Sequence, residues 1–386
     1  MTRNPGSALA VLVLSLASVS FSGAQQEWRL GGRLVPGPLP PDPAAALPAL
    51  EVWKDVIYGY ADGRALKLDF ARPAVCAGQT IPLAVFVHGG GWHSGDKDGA
   101  FNTSYARMFF QLGFAVASVN YRLSPEFQFP AHIHDCKLAV RHLRFHASQF
   151  GIDPDRIGLW GSSAGGHLVS LMAAADDDDG LEGPGLAGTS SRPQAVVDHF
   201  GPTDLTVFLD LAPGQAATLA GFLGCLPADC PETARRASPA AYVTADDPPV
   251  LIIHGDQDPV VPYHQAEIFA EALRTAGNAG ALIKVLNAGH GFTPVPAGAQ
   301  IAPTRNEISF LTVAHLARFI EPALFGDLDM DGDRDLFDLV ALVALLGSQG
   351  FGPGAAPAPP RWNPLADLVP DGRVDGLDLE AFWRIR

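Results

Sequence analysis

The chain has 386 residues, of which 47% are hydrophobic and 17% are charged, and its formal net charge is −15. This composition excludes wholesale disorder, and the length leaves room for two or three domains. The acidic balance and the absence of a basic run argue against a nucleic-acid-binding protein. Eleven acids and only five bases lie between positions 327 and 386, which hints at a cation-binding tail.

The first 24 residues have the features of a secretory signal peptide. Arg3 precedes an apolar run from Ala8 to Phe21, and Ser22-Gly23-Ala24 supplies small residues for cleavage. An uncut membrane anchor is the alternative, but the run is shorter than the roughly 18 apolar residues of a spanning helix, and no later run reaches that length. We therefore expect a secreted protein, extracellular or periplasmic, with no membrane span. Residues 25–50 follow as a Pro/Ala-rich leader with little fold of its own.

Residues 51–322 alternate between strand-like and helix-like segments. Two short alternating runs around Asp62-Gly63 predict a hairpin. Apolar strand runs then lie at 81–88, 114–120, 156–160, 195–200, 250–254 and 282–286. Helical patterns lie at 131–150, from Ala164 onward, at 265–276 and at 306–320. This order predicts an α/β fold, a mostly parallel sheet with helices on both faces. The stretch 201–245 is long for a connection, which predicts a small cap.

The most informative string is Gly161-Ser162-Ser163-Ala164-Gly165, between a predicted strand and a predicted helix. It fits G-x-S-x-G, a sharp strand-to-helix turn that exposes its central serine at the carboxyl end of a sheet. We therefore predict Ser163 to be a nucleophile. The bland alternative is a Gly/Ser turn without chemistry.

A serine hydroxyl needs a base, and in the order Ser…Asp…His the acid and base come later in the chain. His290 lies in a glycine-flanked loop after the last apolar strand and is the predicted general base. Asp258 follows the strand at 250–254 and is the predicted orienting acid. Asp256, in the same loop, stays open as the competing acid.

A glycine-rich string, His88-Gly89-Gly90-Gly91-Trp92, ends the strand at 81–88. Such an HGGG loop supplies one side of an oxyanion hole, and the residue after the nucleophile supplies the other. The predicted donors are the N–H groups of Gly90, Gly91 and Ala164. Phosphate binding is the alternative, but no P-loop lysine accompanies the glycines. Trp92 either lines the acyl pocket or packs in the core.

Four cysteines remain after the signal peptide, and export makes disulfides possible. Three pairings exist, and the sequence alone does not choose among them. Cys225 and Cys230 flank a turn-like Leu-Pro-Ala-Asp and are the simplest pair. Cys76 and Cys136 can then be free thiols.

These strings together resemble the α/β-hydrolase esterases of the hormone-sensitive-lipase-like branch, with the feruloyl/acetyl-xylan esterase-like group as the nearest pattern. The resemblance covers roughly residues 50–320 and rests on HGGGW, NYRLSPE, GIDPDRIGLWGSSAGGH, SSRPQAVVDHFGPTDL, HGDQDPVVP and AGHGF. It implies an α/β-hydrolase fold, an acyl-enzyme on Ser163, no catalytic cofactor, and short-acyl or feruloyl ester substrates, including esters on plant polysaccharide. A prolyl-oligopeptidase-like peptidase and a non-catalytic calcium-dependent interaction protein stay open as alternatives.

The tail at 327–386 carries two acidic loops with the spacing of EF-hand calcium ligands. The predicted Ca²⁺ ligands are Asp327, Asp329, Asp331, Asp333, Asp335 and Asp338 in the first loop and Asp367, Asp371, Asp375 and Asp378 in the second. Val369 takes a ligand position in the second loop, which should bind more weakly. The paired loops resemble a type I dockerin, a small all-α module, and that resemblance implies a cohesin-like partner. An acidic disordered tail is the alternative.

Overall fold

The structure, a computed structural model, describes residues 28–30, 33–35, 47–207 and 213–320. Within these ranges the chain forms ten strands and eight α-helices. The strands are β1 (Trp28–Leu30), β2 (Arg33–Val35), β3 (Leu50–Ala61), β4 (Arg64–Pro73), β5 (Ile81–Val87), β6 (Ala115–Val119), β7 (Ile152–Ser162), β8 (Ala195–His199), β9 (Val250–Gly255) and β10 (Ala281–Val285). The helices are α1 (Ser104–Gln111), α2 (Ala131–Phe145), α3 (Ala147–Phe150), α4 (Ala164–Ala174), α5 (Pro213–Leu223), α6 (Pro231–Arg236), α7 (His264–Ala276) and α8 (Arg305–Ile320).

Eight of the strands form one sheet in the order β10-β9-β8-β7-β5-β6-β4-β3. The pairs from β6 through β10 are parallel, whereas β3 and β4 are antiparallel additions at one edge. Strands β6, β8 and β9 are buried along their whole length, so both faces of the sheet are covered. Helices α1 and α8 pack as one pair, and α2 and α4 as another. The predicted α/β class with a mostly parallel sheet is confirmed.

The elements differ from the predicted ones mainly in length. The hairpin around Asp62-Gly63 is much longer than its short alternating runs suggest, since β3 and β4 pair along the whole of Leu50–Ala61. Two register shifts in this pairing interrupt the alternation of apolar and polar residues. The helix predicted over 131–150 is divided at His146 into α2 and α3. The two free thiols, Cys76 and Cys136, are buried.

The predicted leader at 25–50 contains structure that its proline content did not suggest. Strands β1 and β2 pair antiparallel, with two glycines between them in the sequence, and they belong to a different compact unit from the α/β body. A Gly-Gly pair between short alternating runs is a hairpin signal. The last leader residue, Leu50, is already the first residue of β3. The predicted signal peptide and the acidic tail lie outside the described residues.

The cap predicted at 201–245 contains α5, α6 and a 3₁₀ turn at Pro239–Ala241. Cys225 and Cys230 form a disulfide between α5 and α6, with their Cα atoms 6.2 Å apart. The simplest cysteine pairing is therefore the one present. No helix in the described part of the chain has both the length and the apolar character of a membrane span.

Candidate active site

Ser163 lies at the junction of β7 and α4, with φ 55° and ψ −121°, a backbone conformation that non-glycine residues rarely adopt. Its neighbours explain the G-x-S-x-G pattern. A Cβ atom on Gly161 would collide with the carbonyl oxygen of Gly165, and one on Gly165 would collide with the carbonyl oxygen of Val87. The glycines therefore allow a turn so tight that the serine side chain projects beyond the carboxyl ends of the strands.

Three side chains that are far apart in the sequence meet at this turn. The Ser163 Oγ atom lies 3.0 Å from Nε2 of His290, and Nδ1 of His290 lies 2.7 Å from Oδ2 of Asp258. The carboxylate can only accept, so Nδ1 carries its proton and Nε2 has the lone pair that faces the serine hydroxyl. The structure thus brings together all three residues predicted as nucleophile, base and acid.

Asp258 is fully buried, but its carboxylate is surrounded by donors. Its Oδ1 atom accepts from the backbone N–H groups of Val260 and Val261, at 2.8 and 3.0 Å. Burial alone would raise the pKa of Asp258, yet hydrogen bonds from His254, His290 and Val261 outweigh burial and hold that pKa well below the usual range of a carboxyl. The acid is therefore a permanent negative charge that faces the imidazole.

The competing acid, Asp256, has a different position. Its Oδ1 atom accepts from the backbone N–H of Ala288 at 3.2 Å. This bond connects the loop after β9 to the loop that carries His290, so Asp256 braces the histidine loop. Only Asp258 reaches the imidazole of His290.

The glycine loop lies directly against the nucleophile. A Cβ atom on Gly89 would fall 3.3 Å from Cβ of Ser163 and 2.7 Å from the carbonyl oxygen of Ser162. Gly90 and Gly91 both have positive φ, 112° and 59°. Among the described residues, no hydrogen bond uses the N–H groups of Gly90, Gly91 or Ala164. Donors without partners beside a nucleophile are what an oxyanion hole requires.

Trp92 has the second of its two predicted roles. Its side chain is only 5% exposed. The indole stacks on Phe222 of α5 at 4.2 Å between ring centroids, and its Nε1–H donates to Nδ1 of His167 at 3.2 Å. Trp92 therefore belongs to the core that joins the glycine loop to α5, and the structure gives no support for contact with an acyl group.

Three neighbours of the triad were not predicted from the sequence. His254, fully buried on β9, places Nε2 3.5 Å from Oδ2 of Asp258, and the same nitrogen donates to the carbonyl of Val261 at 2.8 Å. Phe200 packs its ring edge-to-face on His290 at 4.7 Å. Thr218 of α5 lies against Gly91. His254 has a sequence signal, since it stands at a strand end four residues before Asp258.

Within the described ranges, no group of three or more His, Cys, Asp or Glu side chains is arranged to hold a metal ion. The ten aspartates predicted as calcium ligands, from Asp327 to Asp378, lie outside those ranges.

Comparison with known proteins gives a consistent assignment. The BD-FAE family profile matches residues 68–273, a range that contains Ser163 and Asp258 and ends before His290. The esterase LipQ of Mycobacterium tuberculosis is 36% identical over 241 residues, which are 62% of this chain and 56% of LipQ. Esterase LipC of the same organism is 33% identical and covers 67% of this chain and 65% of LipC. The chain thus spans just over half to about two thirds of these curated relatives.

Solved structures of esterases superpose on the chain. A truncated form of a carbohydrate esterase from gut microbiota is 31% identical, with a TM-score of 0.58, and covers 64% of this chain and 93% of that one. A thermophilic esterase, Est2, from Thermogutta terrifontis is 27% identical, with a TM-score of 0.56, and covers 72% and 95%. The fold of this chain is therefore the α/β-hydrolase fold.

Proposed function

Because this chain belongs to the BD-FAE family of α/β-hydrolase esterases, we propose that it is a serine carboxylesterase whose nucleophile is Ser163. The single observation that carries the proposal is the pair of contacts of His290, 3.0 Å to Ser163 Oγ and 2.7 Å to Asp258 Oδ2. This is the geometry by which an imidazole activates a serine hydroxyl.

The reaction follows from which atoms hold protons. As Ser163 Oγ attacks the ester carbonyl, its proton moves to Nε2 of His290, and the buried charge of Asp258 stabilises the imidazolium. The same proton then leaves with the alcohol, and Ser163 keeps the acyl group. Water, deprotonated by His290 in the same way, releases the acid and restores the hydroxyl.

The oxyanion of both tetrahedral intermediates would face the N–H groups of Gly90, Gly91 and Ala164. Each such donor typically lowers the barrier by about 3 kcal/mol. Ala164 begins α4, so the positive end of that helix adds to the stabilisation. The stacking of Trp92 on Phe222 packs this glycine loop against α5 and so holds the loop in place.

Short-acyl or feruloyl esters, some of them on plant polysaccharide, are the substrates we propose. Support comes from the similar proteins, which include a carbohydrate esterase and the esterase Est2. Structures of Est2 have been solved with butyrate and with propionate bound. The disulfide-linked cap is in contact with the glycine loop through Thr218 and so borders the site.

A substrate panel tests the proposal. The full chain and its Ser163→Ala variant are assayed with p-nitrophenyl acetate, butyrate and palmitate, methyl ferulate, acetylated xylan and a peptide anilide. We expect hydrolysis of the short-acyl or feruloyl esters and a loss of at least about 10³-fold in Ser163→Ala. Unchanged turnover in the variant, or faster cleavage of the anilide, would refute the esterase assignment.

We also propose that the acidic tail binds Ca²⁺ and that the protein is secreted. These two proposals rest on the sequence alone, on the spacing of Asp327 to Asp338 and of Asp367 to Asp378 and on the N-terminal apolar run. Docking to a cohesin-like partner is part of the same proposal.

Removal of calcium tests the tail. We expect EDTA to eliminate one calorimetric transition of the full chain and to leave most ester hydrolysis intact, because the catalytic residues lie in the α/β body. A thermogram that EDTA does not alter would contradict calcium binding.

A further inference from the structure

A cavity of about 300 Å³ lies beside the loop that carries His290, between the N-terminal ends of α1 and α8. Ser162, Gly291 and Phe292 line it, each within two positions of a triad residue, but Ser163 and His290 do not. This volume is at the lower end of the range for small-molecule sites. The cavity therefore neighbours the reaction site and has a lining of its own.

Half of the residues that line the cavity carry an aromatic ring, His199 included. Trp160 packs on Phe86 with 5.2 Å between ring centroids, and Phe200 packs on Phe292 at 4.8 Å. Tyr105 closes another side, 5.1 Å from the ring of His199. Such a wall favours a flat, apolar ring as the occupant, because aromatic pairs gain energy from stacked and edge-to-face contacts.

One side chain gives the cavity a charge. Arg305 is the single charged residue of the lining, since burial lowers the pKa of His199 to about 3 and keeps it neutral. The Nη2 atom of Arg305 donates to the carbonyl of Phe292 at 3.1 Å and to that of Gly291 at 3.4 Å. Its Nε and Nη1 atoms have no acceptor in the described part of the chain. A guanidinium with free donors suits a carboxylate, which can accept two parallel bonds.

The hydroxyl groups at the same end have assigned roles. Ser309 donates to the carbonyl of Arg305 at 2.9 Å, so the 2.6 Å contact between Ser104 and Ser309 uses the proton of Ser104. Ser104 can then only accept from a ligand. Burial raises the pKa of Tyr105 to about 12, and the Tyr105 hydroxyl is hydrogen-bonded to Ser309.

We propose that this cavity binds a small aromatic monocarboxylate, with its ring among Phe86, Trp160 and Phe292 and its carboxylate on Arg305. The site is separate from ester hydrolysis and does not depend on the assignment of Ser163 as nucleophile. The structure supplies each half of the recognition: a wall of rings and one cation whose remaining N–H groups are unused.

Calorimetric titration of the full chain with sodium benzoate tests this site. The Ser163→Ala background is used, so that the result is independent of turnover. We expect saturable 1:1 binding, at least tenfold tighter than that of acetate, which lacks the ring, or of benzyl alcohol, which lacks the charge. Arg305→Gln should weaken benzoate binding at least tenfold. Arg274→Gln, which removes an exposed arginine from α7, should leave binding unchanged.

Arg305 also holds the backbone of the His290 loop, so circular dichroism must show that Arg305→Gln is folded. Tyr105→Leu provides a second test that leaves the loop contacts intact, with an expected loss of about threefold for one aromatic contact. Absent saturation, equal binding of benzoate by Arg305→Gln, or equal affinity for acetate would overturn the proposal. So would loss of benzoate binding after paraoxon has phosphorylated Ser163 in the wild-type chain, because benzoate would then occupy the reaction site.

Discussion

At the scale of single residues, the two acids of the loop after β9 divide two tasks. Asp258 contacts the imidazole of His290 and receives two backbone N–H groups, whereas Asp256 receives the N–H of Ala288. A buried carboxylate with this many donors costs little to keep ionised, so its charge is available to the imidazolium at any pH where the fold persists.

This division predicts unequal effects of two matched substitutions. Asp258→Asn should lower kcat for p-nitrophenyl acetate by about 10³- to 10⁴-fold, because an amide neither fixes the imidazole tautomer nor stabilises its charge. Asp256→Asn keeps an oxygen for Ala288 and should cost less than about tenfold. Steady-state kinetics of both variants decide the matter. A larger loss from Asp256→Asn would reverse the roles assigned to these two acids.

The sequence was informative about these residues because their chemistry depends on local patterns. Ser163, Asp258 and His290 each follow an apolar strand and stand in a turn rich in glycine or proline, so each could be found separately. Trp92 could not be assigned, because burial of an indole depends on Phe222 of α5, 130 positions away in the chain. His254 stands at a strand end close to Asp258 in the sequence, but its contact with that acid depends on the direction of its side chain, which the sequence does not show.

At the scale of elements, the nucleophile turn depends on a helix and a strand, α4 and β5, that touch without space for a side chain. Gly165, in the first turn of α4, approaches the carbonyl oxygens at the end of β5 so closely that only hydrogen fits. The same approach brings the glycine loop, which continues β5, within reach of Ser163. The close packing of α4 on β5 therefore also determines the position of the oxyanion donors.

Substitution at this contact should damage both stability and activity. Gly165→Ala forces the backbone of α4 away from that of β5 in a well-packed region. We expect the free energy of unfolding to fall by about 3 kcal/mol or more. Gly214→Ala is the control, because a Cβ atom at Gly214 of α5 meets nothing within 4 Å. Urea unfolding of both variants gives the comparison. Equal stability of Gly165→Ala and wild type would contradict the contact.

The elements themselves were predicted well in type and less well in extent. Parallel strands read as continuous apolar runs, so β5, β6, β8 and β9 were found within a residue or two at either end. The edge hairpin was underestimated because β3 has polar and apolar residues on an exposed strand with register shifts, which hides the alternation. The pair β1–β2 was missed because proline content around it suggested a leader without structure.

At the scale of the whole molecule, several histidines are buried as neutral groups. Burial lowers the pKa of His132 and His199 to about 3, and that of His167 and His315 to about 4. In the unfolded chain each would titrate near 6.5. Below that pH the unfolded state binds protons that the folded state does not, so stability falls as the pH falls. Asp198 opposes this, because burial raises its pKa to about 6.

Burial also raises the pKa of Asp135 and Asp247, but the histidines whose pKa burial lowers outnumber these acids, so we predict an acid-labile fold. Each such histidine contributes a loss of about 1.4 kcal/mol per pH unit between its unfolded and folded pKa. The unfolding free energy from urea titrations should therefore drop by several kcal/mol from pH 7.5 to pH 5. His315→Gln should make this dependence shallower by one proton. Stability that stayed constant or increased over that range would show that these imidazoles are charged in the folded protein.

The positive φ of Ser163 serves catalysis but lowers the stability of the fold. A non-glycine residue in such a conformation costs about 1–3 kcal/mol, and glycine would relieve that cost. Ser163→Gly should therefore give a sturdier protein that hydrolyses nothing. Directed evolution of this chain for heat tolerance alone would therefore enrich stable but inactive variants. Each round would need to select for turnover as well.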